Sequence, residues 1–430
     1  MNTSDHHFYQ KLTSSGKAVR WIRVGHLLTG HAPQAITMGH VVYNAESILY
    51  AGKEAPPAAI VQEKHRPDLT MPDHTLLPGL IEAHAHLFLQ GAELDAEKRK
   101  QHLIQSPEAL LSQATPRLAM LPRFGVIAVR DAGDKDGVGL ALSKSYRSHH
   151  KAARASAYID SPGAAIHHQG RYGSFMGSPL EQHADAADCV AARVAEGADR
   201  IKLIPTSIIN FKKGMVTAKP QMDTEELSAF TKAAREHGKQ SFAHASGDVG
   251  IDHVIAAGVD TVEHGFFIRF DQLDRMLEKN IAWVPTFAPV QKQIDHAEIM
   301  AWDEDCLANL KKIIENHKDS LRYAHQIGVT IIAGSDAGSY GVPHGEGLLY
   351  ELELMQEAGL PPINVINTAT GNSSKRLDFH EKFGLIQEGY QSRMILSAHH
   401  PEENVTNLRK NHLCLFDGTV IESDNDISFM

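Results

Sequence analysis

The chain has 430 residues, of which 42% are hydrophobic and 22% are charged, a composition typical of a folded protein in water. Its net charge of −10 argues against a general nucleic-acid partner, and no run approaches the ~20 apolar residues of a membrane-spanning helix. Three widely spaced cysteines exclude a disulfide framework, and the N-terminus lacks a signal-peptide pattern, so we expect a cytoplasmic protein. Histidine is the unusual residue, with 27 copies.

The two ends of the chain have a similar pattern. Residues 1–16 are polar and without periodicity, which predicts a loose tail. Short apolar runs separated by turn residues follow up to about residue 52, and the same pattern returns near the C-terminus in SRMILSA, HLCLFDG and TVIES. This pattern is typical of antiparallel strands. We therefore predict one small β-sandwich domain formed by residues 1–78 and 376–430 together.

Residues 79–375 instead alternate short apolar strands with helical patterns, which is typical of βα units and a parallel sheet. Asp223 is a helix cap before LSAFTKAAREH, and Gly238 ends that helix. Pro116 should kink or split the helix predicted over 106–122. Eight strands are predicted, at 80–84, 126–130, 155–160, 200–204, 240–244, 260–264, 281–285 and 329–334. Eight such units predict an α/β fold with a (β/α)8 TIM-type barrel.

Residues that bind metals in other proteins stand where these predicted strands end, and in such barrels the strand ends face the catalytic site. They are His84, His86, Lys202, His244, His264 and Asp336. Two histidines at i and i+2 on a strand point to the same side, so both imidazoles of a His-x-His pair can reach one ion. A lone histidine is usually a core or surface residue, but a set at the strand ends of one barrel indicates a metal site.

Several longer segments contain these residues: LLPGLIEAHAHLFLQG, GVIAVRDAGD, GADRIKLIPT, SFAHASGDVGIDHVIAAGVDTVEHG, WVPTF and IIAGSDAG. In these segments the sequence resembles the amidohydrolase superfamily of metal-dependent hydrolases. Within it, the chain is most similar to the imidazolonepropionase-like branch, which includes dipeptidases acting on Xaa-Pro or Xaa-Arg substrates. The ordered set of segments is specific for the superfamily and much less so for the substrate.

The resemblance implies two zinc ions per chain. His84 and His86 would hold one ion with Asp336, and His244 and His264 the other. Lys202 would react with CO2 to form a carbamate that bridges the two ions; the alternative is an ion pair in the barrel mouth. The ions would lower the pKa of a bridging water, and Asp336 would accept its proton and return it to the leaving nitrogen. As an alternative, Asp336 caps a helix.

Other residues are candidates for substrate binding. Arg130 could bind a substrate carboxylate, or form a structural salt bridge with Asp131. A second set lies on loops after the predicted strands three and eight, where each residue could equally be exposed on the surface; it comprises His167, His168, Arg171, Tyr172 and His344.

The favoured function is hydrolysis of an amide bond in a dipeptide or an N-acyl amino acid. Hydrolysis of a carbamate, urea or lactone is an alternative, because the same hydroxide attacks any such carbonyl. A mononuclear deaminase is less favoured, because superfamily deaminases carry a glutamate shortly after the strand-five histidine and His244 is followed by Ala245, Ser246, Gly247 and Asp248. A non-catalytic relative would have lost ligand positions, and here all six are occupied. We expect a small-molecule substrate, no nucleic-acid or membrane partner, and, for an enzyme of this kind, a homo-oligomer.

Overall fold

The computed structural model describes residues 3–148 and 156–423, in which both ends of the chain contribute to one sheet. The sheet has seven strands in the order β16-β15-β14-β4-β1-β2-β3. Only the β1–β4 pair is parallel. The strands are β1 (Arg20–Leu27), β2 (Ile36–Tyr43), β3 (Ile48–Gly52), β4 (Leu69–Pro78), β14 (Arg393–Ser397), β15 (His412–Phe416) and β16 (Thr419–Glu422).

The prediction of a loose tail over residues 1–16 is wrong, because helix α1 (Thr3–Leu12) forms within it. Leu12 is buried in the core of the seven-stranded sheet, and Phe8, one helical turn earlier, packs against the same core. The hydroxyl of Tyr43 donates to the Leu12 carbonyl at 2.8 Å. These two apolar side chains on one face, rather than the period of the whole segment, account for the helix.

The middle of the chain forms two sheets in which every strand pair is parallel. One has three strands, β5 (Leu80–Ala85), β6 (Val126–Asp131) and β7 (Tyr158–Asp160). The other has six, in the order β13-β12-β11-β10-β8-β9: β8 (Ala165–His167), β9 (Gly177–Pro179), β10 (Ile201–Leu203), β11 (Ser241–Ala245), β12 (Thr261–His264) and β13 (Ala282–Val284).

The segment predicted as the eighth strand, 329–334, holds one isolated bridge, in which Ile331 pairs in parallel with Trp283 of the six-stranded sheet. Ala337, three residues beyond this segment, pairs in parallel with Ala85 of the three-stranded sheet, so residues 331–337 contact both sheets. Residue 155, in the predicted third strand, lies outside the described residues. The α/β class with parallel strands is confirmed; the closed eight-stranded barrel and the two-layer sandwich remain predictions.

Helices connect the parallel strands, and several begin at the side-chain caps that the sequence favours. Asp223 accepts from the backbone N–H of Glu226 at 3.0 Å. The helix is not split at Pro116: α3 continues through it, with Leu110, Ala114 and Leu118 packed into the core. The helices are α2 (Ala96–Leu103), α3 (Pro107–Met120), α4 (Val138–Ser148), α5 (Ala186–Glu196), α6 (Thr224–Glu236), α7 (Asp248–Ala257), α8 (Phe270–Glu278), α9 (Ala288–Asp295), α10 (Glu304–Ile327), α11 (Glu346–Glu357), α12 (Pro362–Thr368) and α13 (Gly371–Leu377).

Except for β9, whose last two residues are half-buried, the strands of the two parallel sheets are buried along their whole length, as in sheets covered on both faces. Polar side chains on these strands therefore have to find partners inside the protein or face a cavity. Among the described residues, no helix combines the length and the apolar character that crossing a membrane requires.

Candidate active site

A cavity of about 190 Å³ opens at the carboxyl ends of the parallel strands. The six residues predicted as metal ligands all line it, and they come from β5, β10, β11, β12 and the segment after residue 331: His84, His86, Lys202, His244, His264 and Asp336. The structure therefore brings together residues that are up to 252 positions apart in the sequence (336 − 84).

His84, His86 and Asp336 form the tightest group. Nε2 of each of these two histidines lies 3.6 Å from Oδ1 of Asp336, and one ligand atom from each of the three lies within 4.8 Å of the others. Asp336 adopts a left-handed backbone conformation, with φ of 54°, and its N–H donates to the His84 carbonyl at 2.8 Å. Such a conformation costs free energy in a residue other than glycine and is often found at functional sites.

Glu82 helps to hold this group in place. Its buried carboxylate accepts from the backbone N–H of His84 at 3.0 Å and from the N–H and hydroxyl of Ser335 at 2.9 and 2.6 Å. It thereby fixes β5 to the residue that precedes Asp336. Burial raises the pKa of Glu82 to about 7, while the hydrogen bonds from Ser335 act in the opposite direction.

The four cavity histidines share one arrangement of their ring nitrogens. In each ring a neighbour holds Nδ1, which directs Nε2 towards the cavity; in metal proteins such partners fix the orientation of a histidine ligand. His84 Nδ1 lies 2.5 Å from Glu263 Oε2, His86 Nδ1 lies 3.0 Å from the Gly133 carbonyl, His264 Nδ1 lies 2.8 Å from the Thr286 hydroxyl, and His244 is hydrogen-bonded to the backbone of Ser207.

Three polar atoms facing the cavity are buried and have no hydrogen-bond partner among the described residues. They are Nε2 of His84, Nε2 of His244 and Nζ of Lys202. An unsatisfied buried polar group costs roughly 1–3 kcal/mol, so three at one place need an explanation. Imidazole nitrogens and a carboxylate are a donor set that zinc accepts, and a bound ion would satisfy the two histidine nitrogens. The residues present therefore fit a metal centre.

The electrostatics of the cavity favour neutral imidazoles. Burial lowers the pKa of His86 and of His244 to about 3, and the positive charge of Lys202 acts in the same direction. Burial also lowers the pKa of Lys202 to about 8, which makes its neutral amine accessible near physiological pH. The pKa of Asp336 rises to about 7, mainly through burial, while the hydrogen bond from Ser339 lowers it.

Arg130 is fully buried behind the cavity and does not line it. Its Nη2 lies 2.8 Å from both carboxylate oxygens of Glu263, Nη1 donates to Thr261 at 2.8 Å, and Nε donates to the Ala83 carbonyl. This geometry corrects the prediction that Arg130 binds a substrate carboxylate, because the guanidinium is already paired inside the protein. The ion pair predicted as the alternative does exist, but with Glu263 instead of Asp131.

Glu263 is the residue of this site that sequence reasoning missed. Its carboxylate contacts both His84 and Arg130, and so it connects a cavity histidine to a buried cation. The one available signal was its position immediately before His264 in TVEH, in a strand that is buried at every position. A charged residue in such a strand is rare unless it is paired.

Of the predicted substrate contacts, Tyr172 lines the cavity, and its ring centre lies 5.4 Å from that of His244. Arg171 points elsewhere, since its Nη2 donates to the Lys219 carbonyl at 2.7 Å. His344 is buried behind β5, where its Nε2 lies 3.0 Å from the His86 carbonyl. Its position suits it to support the ligand strand, which corrects its predicted role as a substrate contact.

The two strand-three histidines do not line the cavity either. His168 has both ring nitrogens engaged, with Glu181 at 2.8 Å and Glu226 at 2.9 Å. His167 is buried, and its Nδ1 lies 2.8 Å from the His168 carbonyl. The predicted substrate role of His168 is therefore corrected to that of a surface ion pair.

The rest of the lining is mainly apolar and aromatic. Ser246, Gln293 and Ser339 supply neutral polar groups, and Lys202 is the one cationic side chain among the described lining residues. The apolar and aromatic part consists of Leu89, Phe175, Met176, Ile208, Ile209, Phe211, Phe266, Pro289, Val290 and Tyr340.

Comparison with known proteins gives a consistent result. The model of the amidohydrolase family matches residues 75–419. An uncharacterized protein of Mycobacterium tuberculosis is 25% identical over 307 residues, which are 70% of this chain and 74% of that protein. Ochratoxinase of Aspergillus niger is 26% identical over 187 residues, 43% of this chain and 38% of that enzyme. Its crystal structure superposes with a TM-score of 0.76 at 20% identity, over 94% of this chain and 95% of the enzyme. The crystal structure of a Xaa-Pro dipeptidase with methionine bound in its active site also superposes with a TM-score of 0.76. The identity is 25%, over 94% of this chain and 100% of the dipeptidase.

Proposed function

The chain belongs to the amidohydrolase family of hydrolytic enzymes, and from this we propose that it uses two zinc ions to cleave an amide bond. The proposed substrate is a dipeptide or an N-acyl amino acid with a bulky apolar group beside the scissile bond. The observation on which this rests most is the set of four histidines with Nδ1 held by the protein and Nε2 directed into one cavity.

We assign His84, His86 and Asp336 to one ion and His244 and His264 to the other. Lys202 would bridge them as a carbamate, formed when its neutral amine adds to CO2 with release of a proton. Its pKa of about 8, lowered by burial, and its lack of a hydrogen-bond partner among the described residues support this assignment. When bound, such ions lower the pKa of water and polarise a carbonyl.

Asp336 is the proposed general base and acid. Oδ2 is held by the hydroxyl of Ser339 at 2.8 Å, which leaves Oδ1 facing the two histidine nitrogens. A carboxylate in this position can accept a proton from the attacking water and return it to the leaving nitrogen. Tyr172, with its ring beside His244, is positioned to contact the substrate.

The architecture that we propose is a (β/α)8 barrel over residues 79–375, with a small β-sandwich domain from residues 1–78 and 376–430. The bridges of Ala85 with Ala337 and of Trp283 with Ile331 support closure, because they join one segment to both parallel sheets. The contribution of both chain ends to a single seven-stranded sheet supports the second domain.

Hydrolysis of a carbamate, urea or lactone is the second candidate. One observation favours it: apart from Lys202, the described lining offers no cation to pair with a substrate carboxylate. A neutral substrate would suit such a lining, whereas a dipeptide or an N-acyl amino acid brings a carboxylate that would have to face neutral groups.

The test combines metal analysis with a substrate screen. Dipeptides and N-acyl amino acids with apolar or acidic side chains are compared with neutral carbamates, ureas and lactones. We expect Lys202→Ala to contain one or two metal ions fewer per chain than the wild type, through loss from the cavity, while Lys219→Ala, at an exposed lysine, keeps the wild-type content. Unchanged metal content in Lys202→Ala would contradict the carbamate bridge, and ammonia release would favour a deaminase.

Asp336→Asn tests the base. We expect kcat to fall by about 10²–10⁴-fold, the usual contribution of a general acid–base group. Asp378→Asn is a matched control, because Asp378 is exposed and also adopts a left-handed conformation, with φ of 44°. Full turnover by Asp336→Asn would mean that another group takes the proton.

A further inference from the structure

A second group of metal-ligating side chains lies outside the cavity, on the seven-stranded sheet. It consists of His26 on β1 and of His400 and Glu402 in the segment that follows β14, and we name it the sheet triad. One ligand atom from each of the three lies within 4.8 Å of the others. We propose that the sheet triad binds one divalent transition-metal ion, with zinc as the probe, at a structural site separate from the catalytic cavity.

The carboxylate of Glu402 is the centre of this group. Its side chain is 6% exposed, and Thr75 on β4 donates to it from a hydroxyl 2.8 Å from each oxygen. Nδ1 of His400 lies 3.3 Å from Oε1, and Nδ1 of His26 contacts the same oxygen. The centres of the two imidazole rings are 5.0 Å apart. Three donors of this kind from two short segments therefore converge on one point.

This donor set has a clear metal preference. Two imidazole nitrogens and one carboxylate oxygen are ligands that zinc accepts, at bond lengths of about 2.0–2.2 Å. Tetrahedral geometry at such lengths places ligand atoms about 3.3–3.5 Å apart, which small rotations of these side chains can reach. Side-chain exposures of 37% for His26 and 30% for His400 leave a path for an ion and room for water as a further ligand.

The backbone is irregular where it presents these ligands. The register of β1 on β4 shifts between Val24 and His26. A Cβ at the intervening Gly25 would lie 1.8 Å from the Pro72 carbonyl oxygen, so only glycine fits this bulge. His26 is the first residue of β1 after this irregularity, and it contacts Glu402. His400 has a left-handed backbone, with φ of 48°.

The ligands come from opposite ends of the chain, since His26 precedes the parallel sheets and Glu402 follows them. An ion bound only in the folded state stabilises it by mass action, so zinc should hold the two ends of the sheet together. The competing explanation is that the two histidines only hydrogen-bond to Glu402. The two explanations differ in whether the site takes up metal.

The experiment uses the full chain, dialysed to equilibrium against zinc at a fixed free concentration and then analysed for metal. We expect the double variant His26→Asn/His400→Asn to contain one zinc ion fewer per chain than the wild type, with kcat unchanged because neither residue lines the cavity. His65→Asn removes an exposed histidine elsewhere and should keep the wild-type content. The extra rise in Tm that zinc gives the wild type should be lost in the double variant.

Equal zinc content in the wild type and the double variant overturns the proposal and leaves the catalytic assignment untouched. A second measurement does not depend on the variant folding. Anomalous scattering at the zinc absorption edge from zinc-equilibrated wild-type crystals should show a peak between His26, His400 and Glu402. The absence of a peak there would equally rule out the site.

Discussion

Histidine meets carboxylate at two contrasting places in this molecule. In the interior, His84 contacts Glu263 through Nδ1, both side chains are at most 1% exposed, and Nε2 is left without a hydrogen-bond partner among the described residues. At the surface, His168 is 25% exposed and uses one nitrogen for Glu181 and the other for Glu226. The first histidine keeps a lone pair for a ligand, whereas the second has no nitrogen left to offer.

The comparison shows that neither histidine content nor position after a strand defines a functional histidine. His84 ends a predicted strand and His168 lies on the loop after another, and sequence reasoning assigned both to the site. The difference lies in the partners, which come from distant parts of the chain: Glu263 is 179 residues from His84, and Glu226 is 58 residues from His168. Burial and the choice of nitrogen decide the role, and both are properties of the folded chain.

Glu263→Gln should have the largest effect. The change leaves Arg130 as a buried cation without its partner, which typically costs about 3–5 kcal/mol of unfolding free energy. It also removes the carboxylate that orients His84, so zinc affinity should fall by about 10–100-fold. Urea unfolding and zinc titration measure the two effects separately.

The matched control is Glu226→Gln, which removes a carboxylate from the surface histidine. It should change the free energy of unfolding by less than about 1 kcal/mol and leave zinc affinity unaltered. Losses of similar size in the two variants would remove the distinction between the interior pair and the surface pair.

A second prediction separates the effect of burial on a histidine from the effect of a carboxylate partner. His317 is buried and stacks on Phe266 at 4.3 Å, but its ring contacts the Pro285 carbonyl and not a carboxylate. Burial lowers its pKa to about 4, while the hydrogen bond to Pro285 acts in the opposite direction. Because the unfolded state takes up a proton near pH 6.5 and the folded state does not, His317 reduces the free energy of unfolding as pH falls from 6.5 towards 4.

His317→Phe should therefore lessen the acid sensitivity of the metal-free protein. We expect the drop in unfolding free energy between pH 7.5 and pH 5 to be smaller by about 2 kcal/mol than in the wild type. Urea unfolding at the two pH values measures it, with His65→Phe at an exposed position as the control. An equal drop in all three proteins would show that burial of His317 does not govern this titration.

Much of the fold follows from local patterns. The strand predicted at 126–130 is observed as Val126–Asp131, and Asp223 caps its helix as expected, because periodicity and capping act over a few residues. The failures arise where packing outweighs local preference. Pro116 remains inside a helix whose apolar face is buried, and the N-terminal tail folds as a helix against the sheet.

The candidate site divides in the same way. The six residues predicted as ligands could be found because strand ends in a parallel sheet converge, and the structure places all six on one cavity. Arg130 stands equally close to a strand end and His344 lies on the loop after the predicted eighth strand, yet their side chains turn to partners behind the cavity. Glu263 was missed because its role depends on two residues far away in the sequence. Local pattern predicts which residues approach a site, and long-range contacts determine which of them face it.

His168→Asn should have the smallest effect. Burial lowers the pKa of His168, but the hydrogen bonds to Glu226 and Glu181 outweigh it and raise the pKa above the usual value. The stabilisation from these pairs is therefore complete below pH 6.5 and is lost as pH rises through the folded-state pKa. We expect a loss of less than about 1 kcal/mol of unfolding free energy at pH 6, and a smaller loss at higher pH.

The same variant decides the role of His168 in catalysis. Since both of its nitrogens are engaged outside the cavity, kcat/KM should stay within about twofold of the wild type for any substrate that the screen identifies. A fall of about tenfold or more, not shared by Glu226→Gln, would show that His168 leaves its carboxylates to contact the substrate. The pairing of His168 with Glu181 and Glu226 would then describe only the protein without substrate. The difference in role between His168 and His84 would depend on the bound substrate as well as on the fold.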